Sequence, residues 1–190
     1  MLKVINSKAA QTVELSMDSY IPMMFRNLTE KCPSPYYWRT GNLTNQLLEI
    51  GLNPDTGAIY EVTISVIDTI RQIPDEHFLV YNDIAPGIPV CDLSIWPPRQ
   101  TITDWHKENF VDEKRAFVTT ISANSLIIQL CDMTTLHKGY KVESVFFGTD
   151  VYGCLCSLEF QNIASNHLTD LLSLTANSVD LNLRQEDDKQ

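Results

Sequence analysis

Glycine is scarce in this chain, seven among 190 residues, and the chemistry that depends on it is missing with it. There is no Gly-Lys-Ser/Thr phosphate loop, no Gly-x-Gly-x-x-Gly fingerprint and no Gly-x-Ser-x-Gly nucleophile elbow. A His-Glu-x-x-His pair is also lacking. No stretch approaches the roughly 18 apolar residues that a spanning helix requires. The opening residues Met1 to Lys8 contain no continuous apolar segment of the secretory type, which leads to the expectation of a cytoplasmic protein. The five cysteines, Cys32, Cys91, Cys131, Cys154 and Cys156, are odd in number and irregular in spacing. That pattern reads as unpaired structural thiols rather than a disulfide framework. The sequons at Asn27 and Asn42 carry meaning only in a secreted chain.

Basic residues are outnumbered, with 14 Lys and Arg against 24 Asp and Glu, for a net charge of −10. The imbalance is uneven. Between residues 40 and 98, Glu49, Asp55, Glu61, Asp68, Asp75, Glu76, Asp83 and Asp92 face Arg71 alone. Such a field disfavours nucleic acid and anionic membranes, which need clustered cations; it either favours and steers a cationic partner or merely keeps the protein soluble, and charge alone does not choose between the two. The hydrophobic fraction of 44% is that of a globular domain with a substantial core.

The most legible stretch is Leu47 to Ile67. Leu48, Ile50 and Leu52 alternate with Glu49, and Tyr60, Val62, Ile64 and Val66 alternate with Glu61, Thr63 and Ser65. This is the period of a half-buried strand. Asn53-Pro54-Asp55-Thr56-Gly57 between them has the residues of a tight turn, so a hairpin is expected. Further strands are expected at 13–17, 77–81, 90–96, 116–122, 125–131, 141–147 and 154–161. Residues 84–89 read as a turn-rich connection and 101–113 as a loop or short helix. A helix is expected after Ser165, with Leu168, Leu171, Leu172 and Thr175 at helical spacing. Tyr36-Tyr37-Trp38 reads as core or rim packing. The resulting expectation is a single α+β domain over residues 1–183, with a predominantly antiparallel sheet, a few helices and a polar tail at 184–190.

Motifs for chemistry are thin. Asp104-Trp105-His106-Lys107-Glu108 places an imidazole between carboxylates, but its His-x-Glu spacing lacks the Pro-Cys-x-x-Cys of zinc deaminases and reads as a solvated loop. Cys154-x-Cys156 would need two further ligands for a zinc site, with only His137 and His167 near in sequence, and reads as buried structural cysteines. No metal, cofactor or catalytic residue is therefore assigned.

The residues 47–64 around Asp55-Thr56-Gly57-Ala58-Ile59-Tyr60 resemble a hairpin recurrent in bacterial toxin-immunity proteins, including those of contact-dependent growth inhibition and related polymorphic toxin systems. Val145 to Asp150, leading into Leu155–Phe160 and a leucine-bearing helix, is similar to their C-terminal region. The resemblance implies a cytoplasmic, non-enzymatic antitoxin. It would bind one cognate toxin C-terminal domain, often a basic nuclease, and block its active site or substrate surface. Carboxylates would then stand where the toxin expects phosphates.

Contact residues are chosen on physical grounds, as acids flanked by aromatics. One group is Asp75, Glu76, Asp83, Asp92 and Trp96, beside His77, Phe78 and Tyr81. The other is Asp104, Trp105, Glu108, Asp112 and Glu113, beside Phe110. The hairpin itself is expected to be scaffold. The alternative readings are a small-ligand-binding β domain or an enzyme with a pocket near His77 or His106, and, third, a structural interaction module with no inhibitory role.

Overall fold

The alternating stretches pair into two sheets that bury their apolar faces against each other. The computed structural model describes residues 1–10, 12–18, 20–42, 44–73, 77–97, 109–131 and 136–173. One sheet has six strands in the order β10-β4-β5-β6-β3-β2. These are β2 (Val13–Ser16), β3 (Met23–Asn27), β4 (Tyr36–Gly41), β5 (Leu47–Leu52), β6 (Ile59–Val66) and β10 (Phe110–Lys114). The other has seven strands in the order β7-β11-β12-β15-β14-β13-β8. Its members are β7 (Ile70–Gln72), β8 (Asp83–Pro86), β11 (Val118–Ile121), β12 (Ser125–Gln129), β13 (Lys138–Val142), β14 (Val145–Thr149) and β15 (Leu155–Gln161).

Phe25, Trp38, Leu48, Ile50, Val62 and Ile64 of the first sheet share one hydrophobic core with Leu126, Ile128, Phe147, Leu158 and Phe160 of the second. The Phe25 and Phe147 rings meet edge to face across it, with centroids 5.7 Å apart. A ribbon of β1 (Val4–Lys8) and β9 (Ile88–Cys91) ties the sheets together. It bridges β15's start through Lys3 and Cys154, and the hairpin turn through Ala58 and Val90. The helix α1 (residues 165–173) sends Leu168 and Leu171 into the core. The architecture is thus a mixed α+β domain dominated by antiparallel pairing, with one short helix among the described residues.

The expected hairpin is present as β5 and β6. Its turn is held by Asn53, whose Oδ1 accepts the Asp55 N–H at 2.9 Å and whose carbonyl accepts the Gly57 N–H at 2.8 Å. Gly57 sits at φ +74°, where a side chain is disfavoured. A bulge between Gly51 and Leu52 pairs Leu52 with Ile59. It turns Ile59 into the core and leaves Tyr60 half-buried, a departure from simple alternation.

Other expectations are corrected. Residues 141–147 are not one strand: Val142 ends β13 and Val145 begins β14, with Glu143 at φ +49° in the turn between them. Residues 84–89 contribute β8 and the start of β9 instead of a connection, and 110–114 form β10. β10, β7 and β8 are edge strands paired in parallel with β4, β11 and β13, partners far away in sequence. Cys131 and Cys156 are joined in a disulfide rather than free. The antiparallel register of β12 on β15 brings their Cα atoms to 5.1 Å, within bridging range. Cys32, Cys91 and Cys154 remain unpaired.

Candidate interaction surface

With the inner faces buried, function is left to the outer ones. On the six-stranded sheet the cross-strand registers align two rows of side chains. The first runs Glu14, Arg26, Glu61, Gly51, Tyr37, Phe110, and the second Ser16, Met24, Thr63, Glu49, Arg39, Asp112. Their charges are largely spent on one another. Arg39 grips Asp112 through two hydrogen bonds of 2.7 and 2.9 Å and lies over the Phe110 ring at 4.4 Å. Arg26 reaches Glu61 at 3.3 Å, and the Tyr37 hydroxyl donates to the same carboxylate at 2.8 Å. Burial and that carboxylate hold the Tyr37 phenol well above its ordinary range. The face is largely self-satisfied, which makes it a solvated face more than a receptor.

The outer face of the seven-stranded sheet is built differently, because the chain crosses it. β7 and β8 are consecutive in sequence yet occupy opposite edges. Six inter-strand spacings amount to about 29 Å, and the eleven steps from Gln72 to Asp83 reach at most about 36–40 Å. The chain is therefore long enough to cross the sheet, with roughly 7–11 Å of reach to spare.

Its contacts follow the strand order. The Ile73 N–H donates to the Ile121 carbonyl on β11 at 2.9 Å. The Ser125 hydroxyl of β12 donates to the His77 carbonyl at 3.2 Å, and the Leu79 N–H donates to Glu159 Oε2 of β15 at 3.3 Å. Tyr81 then stacks on Phe146 of β14, with centroids 6.0 Å apart, and Asn82 N–H donates to the His137 carbonyl just before β13. Residues 77–82 form a strap, not the buried strand expected at 77–81.

A flat seat receives Tyr81. Gly139 and Gly148 are paired neighbours on β13 and β14. A Cβ built on Gly139 would lie 2.9 Å from the Tyr81 ring, and one on Gly148 2.8 Å from it. Beneath the strap, Glu159 is fully buried. Its carboxylate accepts from Leu79 N–H and Tyr81 Oη at 3.3 Å each and from Gln161 Nε2 at 2.7 Å. Its register partners are the buried side chains of Ile127 and Phe146. Burial raises its pKa, opposed by hydrogen bonds from Gln161, Leu79 and Tyr81 and by the proximity of His77. Burial and the Glu159 charge likewise push the Tyr81 phenol up.

An extended chain alternates, so Leu79 and Tyr81 point inward while Phe78 and Val80 point out. Phe78 is 41% and Val80 84% exposed. Asp83, at the strap's end, is exposed beside Lys138 at 3.6 Å.

The other residues chosen from the sequence are scattered. Asp92 caps the Ser94 N–H at 2.9 Å, a bond that lowers its pKa. Trp96 lies in the core, 4% exposed, stacked on Tyr36 at 5.4 Å and donating to the Asn109 carbonyl. Asp112 belongs to the other sheet's outer face, paired with Arg39. Glu113 accepts the Trp38 indole N–H at 3.2 Å and lies 2.7 Å from the Met1 amine. Asp75, Glu76, Asp104, Trp105, Glu108 and His106 fall outside the described residues.

Glu159 and Val80 were not chosen. In sequence, Glu159 between Leu158 and Phe160 is the solvent-facing member of an alternating strand; the outward phase of Phe78 and Val80 depends on the crossing. Among the described residues, no group of three His, Cys, Asp or Glu side chains is placed to hold a metal ion, and no helix is long and apolar enough to cross a membrane. Compared with known proteins, the chain matches no family model and no curated sequence, so its function has to be read from these surfaces.

Proposed function

We propose that this chain is an immunity protein: a stoichiometric inhibitor that binds a cognate toxin domain with a cationic surface, of the nuclease type, and covers its active site or substrate-binding face. The strap carries this reading. It holds an aromatic and a β-branched side chain outward on a backbone hydrogen-bonded to the sheet at His77, Leu79 and Asn82, so little ordering entropy opposes their use as anchors. Asp83 follows directly, Asp75 and Glu76 adjoin it in sequence, and the chain's net charge of −10 supplies long-range attraction for a cationic partner.

The experiment is co-expression with the toxin domain encoded beside this chain, scored by growth and by co-purification. Protection and a one-to-one complex are expected. Folded protein that neither binds nor protects would overturn the assignment. Val80→Asp and Phe78→Ala are expected to weaken the complex about tenfold or more each, as central anchors do, and Val80→Asp should leave thermal stability nearly unchanged because Val80 is almost wholly in solvent.

A second reading, an enzyme or ligand-binding domain near His77, is favoured by one observation, the buried carboxylate of Glu159 with its raised pKa. Against it, that carboxylate is sealed beneath the strap, engaged by Leu79, Tyr81 and Gln161.

A further inference from the structure

The strap's inner side poses a question that the interface reading leaves open: why a fully buried carboxylate lies under an exposed segment. A buried charge is costly, and an apolar side chain at residue 159 would pack between Ile127 and Phe146 without that cost. What a carboxylate supplies is acceptor capacity, about four lone-pair positions on two oxygens. Oε2 takes the Leu79 N–H and the Tyr81 hydroxyl together, and Oε1 takes Gln161. Leu79 is the middle of the strap. Its flanks are held at His77 through the Ser125 hydroxyl and at Asn82 through the His137 carbonyl. The Leu79 N–H bond holds the backbone down on the sheet there, and the Tyr81 side chain, taken by the same carboxylate and stacked on Phe146, sets the phase of the extended chain. With Tyr81 and Leu79 turned in, alternation turns Phe78 and Val80 out.

We infer that Glu159 is the positioning residue of the strap, its carboxylate pinning the Leu79 backbone so that Phe78 and Val80 are presented outward to the partner. Presentation to a partner rests on the immunity reading above; the pinning itself is measured without one. Glu159 makes no contact with the partner and acts through Leu79 and Tyr81.

The test is residue-resolved amide exchange on the full chain, followed by association with the toxin domain. In the wild type, Leu79 N–H is expected to exchange at least about tenfold more slowly than those of Phe78 and Val80, although all three lie on an exposed segment. That ratio is the effect of one hydrogen bond to a charged acceptor. Glu159→Ala should erase the difference. Glu159→Gln keeps a neutral amide oxygen in the same place and should restore part of it, since a neutral acceptor bonds more weakly than a carboxylate. Tyr81→Phe removes only the second donor and should leave Leu79 protected.

Equal exchange at Leu79 in the wild type and Glu159→Ala, with both folded by circular dichroism, would overturn the pinning. Should Glu159→Ala fail to fold, comparison of Leu79 with Val80 in the wild type and Glu159→Gln still decides it. For the partner, Glu159→Ala should slow association about tenfold, with Glu159→Gln close to wild type. Lost protection with unchanged association would overturn the positioning role. Val80→Asp that binds as well as wild type would instead overturn the interface reading, leaving the pinning as measured.

Discussion

Adding one methyl group at Gly148 should unseat the strap, and the cost can be worked from the seat itself. A Cβ there would overlap Ser157 Oγ and lie 2.8 Å from Tyr81 Cε1 and 2.9 Å from Leu136 Cδ2. All three neighbours must give way. Overpacking of this kind costs about 1–3 kcal/mol, equivalent to a drop in Tm of roughly 2–12 °C for a domain of this size. At the paired Gly139 the nearest obstacle is the Tyr81 ring, 2.9 to 3.2 Å away. That ring can lift, so Gly139→Ala should cost less, mainly the stack on Phe146, worth about 0.5–1.5 kcal/mol.

Thermal unfolding of the two variants ranks them, and Ser157→Ala supplies the control. Removing the nearest obstacle should recover part of the Gly148→Ala loss, with a coupling of about 0.5–3 kcal/mol in a double-mutant cycle. Near-ultraviolet circular dichroism should report loss of the fixed Tyr81 environment in both glycine variants. A Gly148→Ala protein as stable as wild type, with its tyrosine signal intact, would refute the seating of Tyr81 and the crossing path with it.

Two further predictions concern groups the fold has buried. Glu159 has a folded-state pKa raised above its ordinary 4.5 by burial, with His77 and Tyr81 facing it from the strap, Gln161 beside it, and Lys141 beyond Phe146. Its contribution to stability is therefore fully present below about pH 4.5 and is lost as pH rises through the folded pKa. Glu159→Gln should flatten that slope and gain on the wild type as pH increases; parallel curves from denaturant titrations across pH 4–8 would contradict the burial. The second concerns Cys131 and Cys156. Protein purified without reductant and then unfolded should expose three reactive thiols, and five after reduction. Replacing both bridged cysteines by serine should cost about 3 kcal/mol for a bridge spanning 25 residues. Five thiols without reduction would dismiss the bridge.

The parts of this fold legible in the sequence are those in which local chemistry and burial agree. The hairpin of β5 and β6 is one, since its apolar face is the core face and its turn carries Asn53 and Gly57. Tyr36 and Trp38 were recognisable as packing residues for the same reason. Misreadings arose where residues with ordinary propensities adopt a conformation imposed from elsewhere. The turn at Glu143 carries no glycine or proline, so two strands read as one. The strap is apolar on both of its sides, Leu79 and Tyr81 within and Phe78 and Val80 without, and so resembles a buried strand. The parallel edge strands β7, β8 and β10 are short and pair with distant segments, leaving no local signal of their partners.

Sequence alone therefore settled the acidity of the chain, the alternation of its strands and the chemistry of its best turn, because each is a property of neighbouring residues. The tertiary structure decided which outer face would be covered, how Cys131 meets Cys156, and that Glu159 lies in the interior. Alternation assigns a side chain to one face of a strand, but it cannot say whether another segment crosses that face. Here β7 and β8 sit on opposite edges of one sheet. Between them, residues 77–82 cross its outer face, bonded to β12, β15 and the residue just before β13. That crossing buries a carboxylate and leaves Phe78 and Val80 on the outer side.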